Sequence, residues 1–187
     1  MISVRLMVRL FSIGHSNRSL EEFIELLLAY GVERLIDVRT LPGSNRFPHF
    51  NGEILKAQLA RFSIRYSHMK ALGGLRRPRA DSPNSAWNNL SFRGYADYMQ
   101  TGNFGTAVTR LCSSATRLRT CIMCAEAVPW RCHRSLIADA LLVRGYETIE
   151  IFSLSQSRIH KLTPWGKVNG QTVCYPPQGR VRRASRS

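Results

Sequence analysis

The stretch TCIMCAEAVPWRCHRSLIADALLVRG, residues Thr120–Gly145, contains a complete strand–loop–helix unit. Its start, TCIMCA, is an apolar run of strand length, and RSLIADALLVRG has a helical pattern that ends at Gly145. The loop between them carries Glu126, Cys132 and His133. A buried strand that leads through a polar loop into a helix is the building unit of parallel α/β sheets, so this stretch predicts the fold class.

The same alternation continues on both sides of this unit. RLFSIG, RLIDVR and IRYSHM precede it as strand-like apolar runs, and ETIEIF follows it. Ser19 and Glu22 form an S-x-x-E capping box at the start of the helix LEEFIELLLAY, which ends at Gly31. RGYADYMQ and FGTAVTRLCSSA are further helical segments. We therefore expect one α/β domain over residues 1–178, with a mainly parallel sheet of about five strands covered by helices on both faces.

Two segments depart from this alternation. KALGGLRRPRADSPNSAWNNLS, residues Lys70–Ser91, shows neither a helical nor a strand period. Loops longer than about a dozen residues are functional or disordered in compact domains, and the aromatic Trp87 and Phe92 favour an ordered loop excursion. Near the end of the chain, Asn169-Gly170 predicts the turn of a small hairpin.

The net charge of the chain is strongly positive. It has 27 lysines and arginines against 12 acidic residues, which gives a formal net charge of +15. Four of the arginines lie in residues 179–187, a basic tail that we expect to be disordered, but most of the excess belongs to the domain. Such a charge attracts polyanions, so we expect an anionic substrate or partner such as a nucleotide, DNA or RNA.

The cysteine count and the hydropathy of the sequence indicate the cellular compartment in which we expect the protein. Five cysteines is an odd number, which favours a reducing compartment, and we expect a cytoplasmic protein. No apolar run reaches the roughly eighteen residues that cross a membrane, so we expect no membrane partner. The oligomeric state is not predicted.

Three of the predicted strands end in polar clusters. In a parallel sheet the carboxyl ends of the strands share one edge, and ligands bind there. The clusters are therefore expected to meet in one composite site. They contain His15, Ser16 and Arg18 after the first strand, Asp37 and Arg39 in and after the second, and Cys124, Glu126, Cys132, His133 and Arg134 after the fourth.

The residue types in these clusters define the expected chemistry. Arginines bind phosphate in bidentate fashion, and helix N-termini, here after Ser19 and near His133, favour anions. Histidines and carboxylates transfer protons, and a thiol at a helix start beside cations is nucleophilic. We predict phosphate-binding roles for Ser16, Arg18, Arg39, His133 and Arg134. We predict catalytic roles for His15, Asp37, Cys124, Glu126 and Cys132.

Structural roles are an alternative for some of these groups. Asp37 and Arg39 share one strand face because side chains alternate, so Asp37 can serve to orient the arginine through an ion pair. Cys124 and Cys132 can fill small spaces in the core while Glu126 pairs with an arginine.

The spacing Cys121-x-x-Cys124 is the spacing of a zinc knuckle. However, residues an odd number of positions apart on a strand point to opposite faces, and Ile122-Met123 makes a poor turn. We therefore interpret Cys121 as a core residue, and we expect no metal and no cofactor.

Several motifs together resemble the bacterial and archaeal domain of unknown function 488 family. They are SIGHSNRSLEEFIELL, LIDVRTLPGSNRFPHFN, YSHMKALGGLRRP, SFRGYADYM, CAEAVPWRCHRSLIADAL and HKLTPWGKV. The similarity extends from about Phe11 to Pro177. It implies a single α/β domain whose shared positions include most of the strand-end residues and also His160, whereas Cys121 lies outside the motif. The resemblance implies no activity.

These observations leave three functional hypotheses open. The first is an enzyme that acts on a phosphate-bearing substrate, a nucleotide or nucleic acid, at the carboxyl edge of the sheet. The second is a non-catalytic nucleic-acid-binding protein, which the net charge alone would explain. The third is a thiol redox protein that uses Cys124 and Cys132.

Overall fold

The computed structural model describes residues 8–177, which contain five α-helices and eight β-strands. In chain order these are β1 (Arg9–Gly14), α1 (Leu20–Ala29), β2 (Arg34–Asp37), α2 (Gly52–Ala60), β3 (Arg65–His68), α3 (Leu90–Tyr98), α4 (Gly102–Ala115), β4 (Thr120–Cys124), α5 (Arg134–Leu142), β5 (Glu147–Ile151), β6 (Ser157–Ile159), β7 (Lys167–Asn169) and β8 (Thr172–Cys174). Short 3-10 helices lie at Pro48–Phe50, Lys70–Leu72 and Pro129–Arg131.

Six strands form one sheet in the order β3-β2-β4-β1-β5-β6. The first five are parallel, with Gly14 in register with Cys124 and Asp37 with Met123. β6 pairs antiparallel with β5 at the edge. The predicted α/β fold with a mainly parallel sheet is confirmed. The three residues of β6 are all exposed, so this strand lacks the apolar pattern that marks β1 and β4.

Helices cover both faces of the sheet. On one face, Phe23 of α1 and Leu55 of α2 belong to a core with the odd-numbered side chains of β4. On the other face, Leu111 of α4 and Leu136 of α5 belong to a core with the even-numbered ones. Thr120–Cys124 is buried at every position because β4 lies in the centre of the sheet between the two helix layers, and such strands are apolar throughout.

The segment between the 3-10 helix at Lys70–Leu72 and α3 is an ordered excursion. The Asp97 carboxylate on α3 accepts hydrogen bonds from the Ser82 hydroxyl at 2.6 Å and from the Asn84 amide at 2.8 Å. Asn84 is fully buried and accepts a bond from the Tyr175 amide at 2.8 Å. These bonds attach the excursion both to α3 and to the segment that follows β8.

Other expectations concern the ends of the chain. β7 and β8 form the predicted hairpin, with Gly170 in the left-handed region at its turn. The predicted basic tail, residues 179–187, lies outside the described residues. None of the helices within residues 8–177 combines the length and the apolar character that a membrane span requires.

His160 joins the C-terminal segment to the core through two carboxylates. Its Nε2 lies 2.8 Å from Asp139 Oδ1, and its Nδ1 lies 3.0 Å from Glu150 Oε1. Tyr175 donates to the other oxygen of Asp139 at 2.8 Å. Burial alone would lower the pKa of His160, but the two carboxylates outweigh it and raise the pKa to about 9. His160 is therefore a charged structural residue.

The charge on His160 predicts a pH-dependent stability. Its folded pKa lies above the ordinary value of 6.5, so the stabilisation is complete below pH 6.5 and is lost as the pH rises through about 9. We expect NMR titration of the ring to give a midpoint near 9, and denaturation to show a decline of about 3 kcal/mol at most. His160→Gln should flatten this decline while His49→Gln retains it. A ring midpoint at or below 6.5 would contradict the prediction.

Candidate functional site

A cavity of about 770 Å³ opens at the carboxyl ends of β1, β2 and β4. This is the edge at which parallel sheets bind their ligands. Of the predicted site residues, His15, Ser16, Arg39, Cys124, Glu126 and His133 line this strand-end cavity.

The first and fourth strand-end loops run side by side because β1 contains a glycine at its last position. The amide of His15 donates to Cys124 O and that of Ser16 donates to the Ala125 carbonyl, both at 2.9 Å, so the pairing continues past the strands. A Cβ on Gly14 would lie only 1.8 Å from the Glu126 carbonyl oxygen. Any side chain there would separate the two loops and open the floor of the cavity.

Asp37 and Arg39 form a buried ion pair beside the cavity. Arg39 donates through Nε and Nη2 to both Asp37 carboxylate oxygens at 2.6–3.0 Å, and Tyr66 donates to Oδ2 at 2.8 Å. Asp37 is fully buried and does not line the cavity. Its predicted catalytic role is therefore not supported by its position. It orients Arg39, which is the structural alternative that the sequence left open.

Arg39 also connects the second strand end to the loop that follows it. Its Nη2 donates to the Phe50 carbonyl at 2.8 Å, and its Nη1 lies 3.4 Å from His15 Nε2. Burial would lower the pKa of Arg39, but the bonds to Asp37 raise it above its ordinary value. The guanidinium stays charged, and the Asp37 carboxylate opposes its field within the cavity wall.

His15 is a neutral histidine in the cavity wall. Its ring stacks on Phe50 with centroids 4.2 Å apart, and its Nδ1 lies 3.0 Å from the Ser16 carbonyl. A carbonyl only accepts, so Nδ1 carries the proton and Nε2 holds the lone pair. Burial, with the Arg39 charge acting in the same direction, lowers the pKa of His15 to about 4.

Cys124, Cys132 and His133 form a compact group at the cavity floor. The two sulfurs and a ring nitrogen of His133 all lie within 4.8 Å of one another. His133 Nε2 lies 2.9 Å from the Val38 carbonyl, so it carries the ring proton, and Nδ1 faces Cys132 Sγ at 3.7 Å. Cys132 itself lies beneath the cavity surface, whereas Cys124 and His133 line it.

The two thiols of this group differ in acidity. A hydrogen bond from the Cys124 thiol lowers the pKa of Cys132 well below its usual range, and His133 and Arg134 act in the same direction against burial. The same hydrogen bond, together with burial, raises the pKa of Cys124. Within the pair, a negative charge is therefore favoured on the sulfur of Cys132 over that of Cys124.

Two predicted phosphate-binding arginines do not reach the strand-end cavity. Arg134 is buried and donates to Ser12 Oγ at 3.0 Å and to the Glu126 carbonyl at 2.5 Å. Arg18 donates to the carbonyls of Gly14 and Phe152 and lines a neighbouring cavity instead. Both guanidinium groups hold backbone carbonyls of the strand-end loops. The position of these two arginines therefore does not support their predicted roles as phosphate contacts in this cavity.

The structure adds residues that were not among the predicted site residues. Arg46 lines the cavity and lies over the Phe47 ring at 5.3 Å, and Gly74 enters from the loop excursion and packs against His133. Tyr66, the donor to Asp37, is on β3. The sequence could have indicated Arg46 as a site residue, because Arg46 lies in the irregular loop that follows the second strand. The approach of Gly74 depends on the path of the excursion, which the sequence pattern does not give.

Comparison with known proteins gives one match. The family model described as Domain of unknown function DUF488 matches residues 19–141, which begin after the first strand-end cluster and end before His160. No curated protein and no solved structure matches the chain. The family match covers more than half of the sequence and includes the loops that carry Arg39, Cys124 and His133. The chain therefore belongs to the family with the domain of unknown function DUF488.

Proposed function

We propose that this protein is an enzyme that acts on a phosphate-bearing substrate, a nucleotide or a nucleic acid, in the strand-end cavity. The observation that carries the proposal is the convergence of proton-transfer groups and cations in one open cavity. A neutral histidine, a carboxylate and two arginines line it together. Titratable groups with a perturbed pKa that converge on one cavity are typical of catalytic sites.

Binding would depend mainly on Arg46. Asp37 neutralises Arg39 through the bidentate ion pair, so Arg39 contributes directed N–H groups more than net charge. Arg46 sits on the same cavity wall, over the Phe47 ring, and its guanidinium is suited to a bidentate phosphate contact. The formal net charge of +15 would favour the approach of the substrate from a distance.

Proton transfer would use His15 and Glu126. The His15 ring is uncharged at neutral pH because its pKa is about 4, and its Nε2 lone pair, 3.4 Å from Arg39 Nη1, would accept the proton. A bound phosphate would stabilise the protonated ring and raise this pKa, which makes His15 a stronger base when substrate is present. Glu126 is exposed in the same cavity and can serve as the partner acid or base.

Activity should depend on both proton-transfer groups. We expect His15→Gln and Glu126→Gln each to lower kcat/KM by about 100-fold or more, the usual size of a general acid–base contribution. Arg46→Ala should raise KM with little change in kcat, because it removes binding that is common to the ground and transition states. Turnover would be followed by phosphorus NMR with nucleoside phosphates and short DNA and RNA oligonucleotides.

Glu53→Gln is the matched control for Glu126→Gln, since Glu53 is an exposed carboxylate on α2 outside the cavity. Circular dichroism would confirm that the His15 variant is folded. The proposal fails if the wild-type protein turns over no member of the panel while salt-dependent nucleic-acid binding persists in both variants. That result would favour the non-catalytic binding protein.

The proximity of Cys124 and Cys132 favours thiol redox activity as a second candidate. Both sulfurs belong to one group within 4.8 Å, and the lowered pKa of Cys132 makes it the thiolate that reacts with an oxidant. Peroxide would oxidise Cys132 to a sulfenic acid with release of water. Attack by Cys124 would then form the disulfide and release a second water.

Mild peroxide treatment should therefore convert the reduced protein to a form lighter by two hydrogen atoms. Peptide mapping should place a disulfide between Cys124 and Cys132, and Cys132→Ser should abolish it. Cys121→Ser is the control, because Cys121 is buried on the opposite face of β4 and its pKa is raised by burial. Two free thiols at Cys124 and Cys132 after this treatment would rule out the redox function.

A further inference from the structure

We propose that Cys124, Cys132 and His133 form a three-ligand site for a thiophilic divalent metal ion such as Zn²⁺, with the remaining coordination position open to the strand-end cavity. Two thiolates and one imidazole are a ligand set that zinc accepts in proteins. The ligand atoms all lie within 4.8 Å of one another. This proposal stands apart from the identity of any substrate.

The spacing of the donor atoms suits tetrahedral coordination. Zinc–sulfur bonds of about 2.3 Å and zinc–nitrogen bonds of about 2.0–2.1 Å place neighbouring ligand atoms roughly 3.5–3.8 Å apart. Cys132 Sγ lies 3.7 Å from His133 Nδ1, which is within this range. The third donor lies inside the 4.8 Å limit, so small side-chain rotations bring all three to bonding distance of one ion.

A backbone carbonyl already prepares His133 for metal binding. Its Nε2 lies 2.9 Å from the Val38 carbonyl, which fixes the tautomer and directs the Nδ1 lone pair at the sulfurs. Metal-binding histidines usually donate their second ring N–H to a carbonyl or carboxylate in this way. A Cβ on Gly74 would lie 3.0 Å from Nδ1, so the absence of a side chain there keeps this nitrogen accessible.

The position of the group indicates a metal that meets a substrate. Structural zinc sites have four protein ligands, whereas catalytic sites have three and leave one position for water or substrate. Within residues 8–177, the group consists of these three side chains alone. Cys124 and His133 line the cavity, so the open position would face it. Glu126 lines the same cavity and would be the base for a metal-bound water.

This site differs from the zinc knuckle that the sequence spacing suggested. Cys121 belongs to the core on the opposite face of β4, so its thiol cannot join Cys124 in binding one ion. The further ligands beside Cys124 are instead Cys132 and His133, which follow β4. The expectation of no metal was based on the Cys121 geometry, whereas the group that the fold brings together leaves Cys121 out.

Titration with Co²⁺, a spectroscopic probe for zinc sites, tests the proposal on the reduced, chelator-treated full-length protein. We expect about one equivalent to bind, with a sulfur-to-cobalt charge-transfer band and the intense visible bands of a tetrahedral site. Zn²⁺ should displace the Co²⁺ and abolish both the charge-transfer band and the visible bands. Cys124→Ser, Cys132→Ser and His133→Gln should each weaken binding by more than the roughly 10–100-fold that loss of an outer partner costs.

Cys121→Ser is the matched control and should bind Co²⁺ like the wild-type protein. A second measurement on the wild type avoids variants that fail to fold: Zn²⁺ should protect Cys124 and Cys132 from alkylation, as read by mass spectrometry. The proposal is overturned if the reduced wild type gives no charge-transfer band, or if Zn²⁺ leaves the alkylation of both thiols unchanged. Neither readout involves turnover, so failure here is separate from failure of the proposed enzymatic function.

Discussion

The buried ion pair between Asp37 and Arg39 is the interaction on which the strand-end cavity depends. Asp37 receives bonds from Arg39 and Tyr66, and Arg39 extends from it to His15 and to the Phe50 carbonyl. One guanidinium group therefore fixes the second strand, the loop after it and the histidine of the first strand. Removing one partner of such a buried pair leaves an uncompensated charge, which costs about 3–5 kcal/mol.

The sequence located this edge because the topology of a parallel sheet places every strand end on the same side. Six of the ten predicted site residues line the cavity for that reason. The direction in which each side chain points was harder to predict than the location of the site. Arg18 and Arg134 are long enough to turn back, and both bind carbonyls of neighbouring loops. Whether an arginine faces a cavity or a carbonyl depends on loop conformation, which has no periodic signal in the sequence.

The network around His160 shows a second limit of sequence reasoning. Its two carboxylate partners lie 10 and 21 positions away along the chain, on different elements. No local pattern relates these positions, and each residue alone has the appearance of an ordinary surface group. By contrast, the pleat of β4 is a local rule. The odd spacing of Cys121 and Cys124 correctly placed their thiols in different cores.

The charge of Arg134 favours an anionic sulfur at the cavity floor. Arg134 is buried, and within the described residues it forms no ion pair with a carboxylate; its bonds go to Ser12 and the Glu126 carbonyl. A buried cation needs a nearby negative charge. Its charge acts with the Cys124 hydrogen bond to lower the pKa of Cys132, and it only partly opposes the rise in the pKa of Cys124, so a thiolate at Cys132 would supply that negative charge. A disulfide would remove the anionic sulfur from beside this cation, whereas two thiolates that share a divalent metal would remain compatible with it. The charge of Arg134 therefore favours a thiolate on Cys132 over a neutral sulfur at this position.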